Sequence, residues 1–248
     1  MRNNVFLIFW ISLGLLLSCS KNNAVAPGSN SNSVGKGGSL ATFTIINDYL
    51  YTVDNQYLQV FHLEQGGAAR FVNRVYIGID IEAIFPFKDR LFIASRQAMY
   101  VYDLANPELP SFVSATSHFT GCDPVVANDT VAFVTIHGGN QCGSTINELL
   151  VYNIVHLQSP IQVNAIMMHQ PIGLGLHDTY LYVCDKQKGL HVFDVQDAYQ
   201  PVLKNIVTGQ TFIDVIPEGD LLICMLADGI AYYDISNRTA PVLLKKIN

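Results

Sequence analysis

Few side chains in this sequence could perform acid–base chemistry together. Asp80, Glu82 and Asp123 are carboxylates, and the strand pattern described below brings Arg96 and His137 towards the same end of the fold. A glycosidase or lyase needs two carboxylates, or a group of His, Tyr and Arg, at one site. These five residues are therefore the only material for an enzyme, and their spacing along the chain does not establish that they meet.

Motifs with a defined chemical mechanism are missing from the sequence. It has no GxSxG nucleophile, Walker loop or GxGxxG turn, and no CxxC or HxxxH spacing that would hold a metal. The net charge is −6 without a basic tract, which argues against nucleic acid as a partner. The sequence therefore predicts no catalytic residue, metal or cofactor, and favours a protein that is not an enzyme.

The first nineteen residues are a targeting segment. Arg2 gives a positive start, and residues 5–17 are nearly all apolar, a run too short for a comfortable membrane span. Residues 16–19, Leu-Leu-Ser-Cys, resemble a bacterial lipobox. We therefore expect residues 1–19 to be a lipoprotein signal peptide with lipid attachment at Cys19. The alternative is an ordinary secretory signal with a chance cysteine.

Residues 20–39 read as a flexible tether between the lipid anchor and a folded domain. They are rich in Gly, Ser and Asn and lack hydrophobic periodicity. Ser20 follows the cysteine, where aspartate commonly marks retention at the inner membrane. The sequence thus predicts an outer membrane lipoprotein, and leaves open whether it lies on the periplasmic face or at the cell surface.

A repeated template organises the rest of the chain. "LHVFDVQDAYQPVLKN" at 190–205 is matched by "MYVYDLANPELPSFVS" at 99–114 and "IAYYDISNRTAPVLLK" at 230–245, and more loosely at 149–164 and 58–73. The polar anchors are 41, 50, 41 and 40 residues apart; they are His62, Asp103, Asn153, Asp194 and Asp234. Because the aspartates recur with the repeat, we expect them to hold turns through bonds to the backbone.

Each repeat contains four short apolar runs separated by polar turns, which predicts four antiparallel strands. A period of about 40 residues with four strands is typical of a β-propeller blade. A single sheet that is apolar on both faces must pack between neighbours, and a ring provides them. We predict an all-β propeller of about five four-stranded blades over residues 40–248, with units at 40–78, 79–119, 120–168, 169–209 and 210–248.

The units resemble LVIVD repeats of bacterial and archaeal cell-surface proteins, as in "LYVCDKQKGLHVFDVQDAYQPVLKN" at 181–205. The resemblance covers residues 40–248 and implies a secreted propeller, often with more repeats than five. The phase starts at a first strand and ends at a fourth, so no strand exchange locks the ring. Residues 34–40 could supply an edge contact, or an open arc could be completed by a partner.

An insertion at 136–148, in the turn after the second strand of unit three, marks the face where we expect binding. Cys142 lies in it, and Cys122 opens the same unit. The hairpin geometry brings the two cysteines close, which predicts a disulfide that closes a loop of about 20 residues and is worth about 3 kcal/mol. The alternative is a pair of free thiols. Cys184 and Cys224 are assigned to equivalent buried strand positions, with an interblade bridge or metal pair as the alternative.

The face that carries the insertion gathers polar side chains from several units, and these form the candidate binding face: Arg96, Gln97, His137, Asn140, Gln141, Lys186, Lys188 and Asp228. We predict a lipid-anchored, non-enzymatic binding or scaffold module for an envelope protein or glycan. The alternatives are a propeller-type polysaccharide lyase or glycosidase, and a structural subunit of a larger envelope assembly. The sequence leaves the oligomeric state open.

Overall fold

The computed structural model describes residues 37–117, 124–138 and 146–248. Within these ranges the regular structure consists of strands, twenty in all, arranged in five four-stranded antiparallel sheets. No helix in the described part is long and apolar enough to cross a membrane. Each sheet is one blade of a five-bladed β-propeller, so the predicted fold class is confirmed.

The twenty strands follow one another through the blades in chain order. Blade 1 comprises β1 (Phe43–Ile46), β2 (Tyr49–Val53), β3 (Tyr57–Leu63) and β4 (Ala69–Tyr76). Blade 2 comprises β5 (Ile81–Phe87), β6 (Arg90–Ser95), β7 (Ala98–Asp103) and β8 (Ser111–Ser117). Blade 3 comprises β9 (Val125–Ala127), β10 (Val131–Ile136), β11 (Glu148–Asn153) and β12 (Ile161–Met167). Blade 4 comprises β13 (Pro171–His177), β14 (Tyr180–Asp185), β15 (Gly189–Asp194) and β16 (Val202–Val207). Blade 5 comprises β17 (Phe212–Glu218), β18 (Leu221–Leu226), β19 (Gly229–Asp234) and β20 (Val242–Ile247).

The repeated aspartates hold the turn between the third and fourth strands, as the sequence predicts. The Oδ1 atoms of Asp103, Asp194 and Asp234 accept the N–H two residues further on, at 2.7, 3.0 and 2.7 Å. The Asn153 side chain makes the same bond at 2.9 Å. Their task is therefore to shape the loop that leads into the outermost strand.

Alternating side chains of the middle strands pack against the preceding or the following blade. In blade 2, Leu91 and Ile93 join the apolar cluster shared with blade 1, whereas Phe92 and Ala94 join the cluster shared with blade 3. All four are at most 2% exposed. We call the two sides of a blade its preceding face and its following face. Burial of both faces explains why the strands are apolar at almost every position.

The two cysteines in blades 4 and 5 are not at equivalent positions, so the predicted equivalence is wrong. Tyr180 pairs with Asp194 and Leu221 with Asp234, which aligns Cys184 with Met225 rather than with Cys224. Both cysteines are buried and free in the same interface between blades 4 and 5. Burial raises the pKa of both thiols, so both are unreactive core residues. This agrees with the prediction that they occupy buried strand positions.

Asparagine side chains join each of three blades to the next one. The Nδ2 groups of Asn73, Asn164 and Asn205 donate to loop carbonyls of the following blade at 3.0, 2.9 and 2.9 Å; the acceptors are Glu108, Tyr199 and Thr239. Each asparagine also accepts the next backbone N–H at 2.8 Å. Tyr51 and Tyr182 add hydroxyl bonds to the same loops, at Pro107 and Arg238. These bonds fix how neighbouring blades are aligned.

The segment before β1 is held inside the fold. Ser39 is 1% exposed, and its hydroxyl donates to Asp214 Oδ1 at 3.0 Å and accepts from the Leu174 N–H at 2.8 Å. The Leu40 N–H donates to Asp214 Oδ2 at 3.1 Å. The sequence analysis suggested an edge contact for residues 34–40. In the structure Ser39 and Leu40 make a contact, but they bond a carboxylate of β17 rather than a strand edge. Residues 37–39 belong to the fold although the sequence assigns them to the tether.

We expect the asparagine bonds to contribute measurably to stability. Asn205→Ala removes two hydrogen bonds in a partly buried place and should lower the free energy of unfolding by about 1.5 kcal/mol. Lys245 occupies the same register position in blade 5 and is exposed, so Lys245→Ala should change it by less than about 0.5 kcal/mol. Chemical denaturation of both variants tests this, and equal losses would contradict the assigned role.

Asp214 should give the fold a specific pH dependence. Burial raises its pKa despite the hydrogen bonds from Ser39, Leu40 and Val215. The folded state therefore favours the protonated carboxyl, and this contribution to stability is lost as pH rises above the ordinary aspartate range. Relative to Asp214→Asn, the unmodified protein should become less stable between pH 4 and pH 7. Unfolding curves across that range measure the difference, and a constant or opposite trend would refute the assignment.

Candidate functional site

One polar side chain closes the turn after the second strand in three of the blades, and in two of them, at Ser95 and Asp185, it is buried. Oxygens of Asp54, Ser95 and Asp185 each accept the backbone N–H groups two and three residues further on, at 2.8–3.2 Å. These turns lie at one end of the propeller, which we call the upper face. The sequence analysis placed binding at this end but missed these residues, whose signal is a Ser or Asp at the end of the second strand, or directly after it, in these three blades.

Asp185 does more than close its turn. Its second oxygen accepts the His169 and Gln170 N–H groups at 2.8 and 3.2 Å, and its exposed fraction is 0%. Four backbone donors therefore compensate one buried carboxylate. The consequence is a rigid base for Lys186 and Lys188, the two cationic side chains of this turn.

A polar groove of about 580 Å³ crosses the upper face between blades 4 and 5. It brings together Lys186, Lys188 and Asp228, three of the predicted binding residues. We call it the upper groove, and its other polar lining residues are Gln187, Thr208, Gln210 and Thr211. Thr208, Gln210 and Thr211 come from the connection between blades 4 and 5, whose only sequence signal is its polarity.

The charges of the upper groove are unequal. Lys246 contacts Asp228 Oδ2 at 2.7 Å and Gln210 Oε1 at 2.9 Å, so Asp228 is already neutralised by a neighbour. Among the described residues, neither Lys186 nor Lys188 forms an ion pair, and both are exposed. The groove therefore presents two ammonium groups beside amides and hydroxyls, a combination suited to an anionic, hydroxyl-rich ligand.

The predicted carboxylates of blade 2 do meet, around Arg96. Its Nη1 lies 3.8 Å from Asp80 Oδ2 and its Nε lies 3.5 Å from Glu82 Oε1. Burial raises the pKa of Glu82, and the nearby Arg96 partly offsets this. Arg96 thus pairs with carboxylates of its own blade, and it does not line the upper groove. Gln97 next to it is exposed.

The described residues of the insertion in blade 3 are those at its two ends. His137 is half-buried, and the Gly138 N–H donates to Asn147 Oδ1 at 2.9 Å across the base of the loop. Asn140, Gln141, Asp123 and the cysteines at 19, 122 and 142 lie outside the described residues. The lipid attachment and the disulfide therefore stay predictions. Within the described ranges, no group of three or more His, Cys, Asp or Glu could hold a metal.

A second cavity, of about 640 Å³, lies between the innermost strands of blades 2–5, at the end of the propeller opposite to the upper face. Its walls are mainly apolar and come from the innermost strands, including Phe85, Phe87, Leu176, Ile216 and Pro217. Lys88 at its rim pairs with Asp129. The sequence analysis did not predict this cavity, because propeller binding was expected on the upper face. Its signal is the aromatic and proline residues at the ends of first strands.

The sequence comparison identifies one repeat. Residues 174–209, which span most of blade 4, match the sequence model of the LVIVD repeat. No curated protein matches the chain. Together with the five blades, the match makes this chain a β-propeller that contains an LVIVD repeat.

Solved structures resemble the fold at low sequence identity. A protein from Lactobacillus plantarum has a TM-score of 0.65 and 16% identity, with 82% of this chain and 73% of that chain covered. A functionally unknown protein from Desulfotomaculum acetoxidans has 0.62 and 12%, with 82% and 66% covered. The periplasmic gluconolactonase PpgL of Pseudomonas aeruginosa has 0.59 and 14%, with 81% and 67% covered. At such identities the likeness establishes the fold alone. Across eight similar solved chains, this chain spans 59–73% of their length.

The four bonds to Asp185 lead to a direct test of the site's framework. Asp185→Ala leaves four N–H groups without their acceptor and should lower the free energy of unfolding by about 3 kcal/mol. Ser95→Ala removes the equivalent acceptor from a turn with fewer bonds, and about 1 kcal/mol is expected. Chemical denaturation measures both losses. A loss at Asp185 no larger than that at Ser95 would show that the contacts to His169 and Gln170 do not matter.

Proposed function

We propose that this protein is a non-enzymatic binding module of the bacterial envelope, anchored by a lipid at Cys19, and that its upper groove binds an acidic glycan. The observation that carries the proposal is the pair Lys186 and Lys188, exposed at the edge of a groove lined by amides and hydroxyls. Ammonium groups bind carboxylates, and amide and hydroxyl side chains bind sugar hydroxyls.

The local charge supports an anionic ligand. The whole chain carries −6, whereas the groove holds Lys186, Lys188 and Lys246 against the single carboxylate of Asp228. The positive groove attracts an anionic ligand, whereas the net negative charge of the chain disfavours association with other acidic surfaces.

The rigidity of the groove supports recognition without large rearrangement. Asp185 fixes the backbone beneath both lysines, and the Lys186 N–H also donates to the Gln170 carbonyl at 3.0 Å. A ligand that meets a preformed turn loses less conformational entropy on binding.

A second candidate is a glycan-cleaving enzyme, and one observation favours it. Glu82 has a raised pKa and lies with Asp80 around the same guanidinium. Two carboxyl groups held in one site are the pair that glycoside hydrolysis uses. In the binding module this cluster is instead an internal ion pair of blade 2.

The test uses oligogalacturonate as the acidic probe and isothermal titration of the full chain in detergent. We expect the combined Lys186→Ala and Lys188→Ala variant to bind at least roughly tenfold more weakly, because two charge-assisted contacts are lost. Lys204→Ala is the matched control, since Lys204 lies in the outer strand of blade 4 and pairs with Asp194 at 3.3 Å.

The methyl-esterified form of the same oligosaccharide keeps the sugar and removes the charge, so its binding should be lost. Equal binding of both probes, or full affinity of the double variant, would rule out the groove as an acidic-glycan site. Shortened products that disappear in Glu82→Gln would favour the enzyme instead.

A further inference from the structure

The cavity of about 640 Å³ between the innermost strands of blades 2–5 is built from equivalent residues of those strands, and we call it the lower cavity. Pairing with the second strands places Phe85, Val126, Gly175 and Ile216 at one register position. All four line the cavity, together with residues on either side of them. Its volume lies within the range of small-molecule sites, roughly 300–1,000 Å³.

Two prolines remove backbone donors from the walls of the lower cavity. Pro86 and Pro217 share a register position, opposite Leu91 and Leu222 of the second strands. Proline lacks an N–H and is tolerated in an edge strand where the N–H would point away from the sheet. On an innermost strand that direction is the channel. The walls therefore lack two polar groups that would otherwise have to be solvated.

Apolar side chains of the walls keep part of their surface uncovered. Four lining side chains are only half-buried; they are Phe85, Phe87, Leu176 and Ile216. A ligand with an apolar body would remove this surface from water, which favours binding through the hydrophobic effect. The two phenyl rings add a preference for an aromatic body.

The segment before β1 bounds the lower cavity on the side of the upper face. Gly37 and Ser39 both line it, and Ser39 is held by Asp214 and by the Leu174 N–H. Leu174 lies at the middle of β13, whereas Asp178 directly follows that strand at the end away from the upper face. Ser39 therefore lies at the inner end of the cavity, and Asp178 at the outer end, which we call the mouth.

Carboxylates predominate at the mouth. The charged side chains that line it are Lys88, Asp178 and Glu218, and all three are exposed. Lys88 pairs with Asp129 of blade 3, so its charge is already balanced. The mouth therefore has an excess of negative charge, which attracts a cation.

The one arginine near the mouth only partly balances Asp178. Arg238 Nη2 lies 3.9 Å from Asp178 Oδ2, but Arg238 makes a closer ion pair with Asp220, at 2.8 Å. The Asp178 side chain is 68% exposed. Its carboxylate can therefore accept a further donor from a bound molecule.

We propose that the lower cavity binds an organic cation with an apolar body, of the arylalkylamine class. The aromatic body lies against Phe85, Leu176 and Ile216, and the ammonium group pairs with Asp178 and Glu218 at the mouth. This site is separate from the upper groove and does not depend on what binds there.

Three probes that share one body and differ in charge test the proposal: 4-phenylbutylamine, 4-phenylbutanol and 4-phenylbutyrate. Each is titrated calorimetrically into the full chain in detergent, with the heat of titration into detergent alone subtracted. We expect the amine to bind at least roughly tenfold more tightly than the alcohol, and the carboxylate more weakly than the alcohol. Equal affinity of amine and alcohol, a preference for the carboxylate, or no binding of the amine would overturn the proposal.

A charge variant tests the mouth. Asp178→Asn combined with Glu218→Gln should remove the advantage of the amine and leave the affinity for the alcohol unchanged. Asparagine suits residue 178, whose φ is +53°, because it tolerates the left-handed region. The matched control is Asp48→Asn combined with Asp89→Asn, which makes the same change in net charge in equivalent turns that do not line the cavity. The control should keep the preference for the amine, and the same loss in both double variants would contradict the assigned role.

A wall variant tests the apolar part of the cavity. Leu176→Trp places a larger side chain in the cavity and should weaken the binding of both the amine and the alcohol. Circular dichroism shows whether the variant is folded. Unchanged binding by the folded variant would exclude the lower cavity as the site. If the variant does not fold, the charge variant and its control decide the question.

Discussion

The structure depends on the mutual burial of blade faces. Each four-stranded sheet is apolar on both sides, and positions such as Phe92 and Ile93 are buried only because a neighbour lies on each side. No blade can be stable alone under this constraint, so stability is shared along the chain from interface to interface. The turns and grooves of the upper face follow from this packing, because they connect the ends of the packed sheets.

Paired polar groups give the stack its alignment. The buried carboxylate of Asp185 has four backbone donors, so its burial carries little penalty. The half-buried asparagines at 73, 164 and 205 each bond the following blade. Apolar packing alone would tolerate sliding of one blade against the next. The directional bonds remove that freedom, and they also bring the lysines of blade 4 and the acid of blade 5 into one groove.

The repeat period and strand pattern were sufficient to predict five blades, because spacing and alternation are local properties of the chain. They were insufficient for register, since "LYVC" and "LLIC" align by cysteine while the strand pairing shifts them by one residue. The lysines of the groove were predicted from their turn, but Gln210 and Lys246 were not, because a connector and an outer strand bring them there. The exposure of Phe43 in blade 1 and of Met225 in blade 5 could not be predicted, because the sequence of an apolar strand is the same with or without a neighbouring blade.

The bond between Ser39 and Asp214 also determines how the protein responds to a mechanical load. A pull from the N-terminal side reaches the hydrogen bonds of Ser39 and Leu40 in the channel before it reaches β1. The force is therefore divided between the innermost strands of blades 4 and 5, near the axis. Blade 1 is thereby protected from being peeled away strand by strand when the chain is pulled from that side.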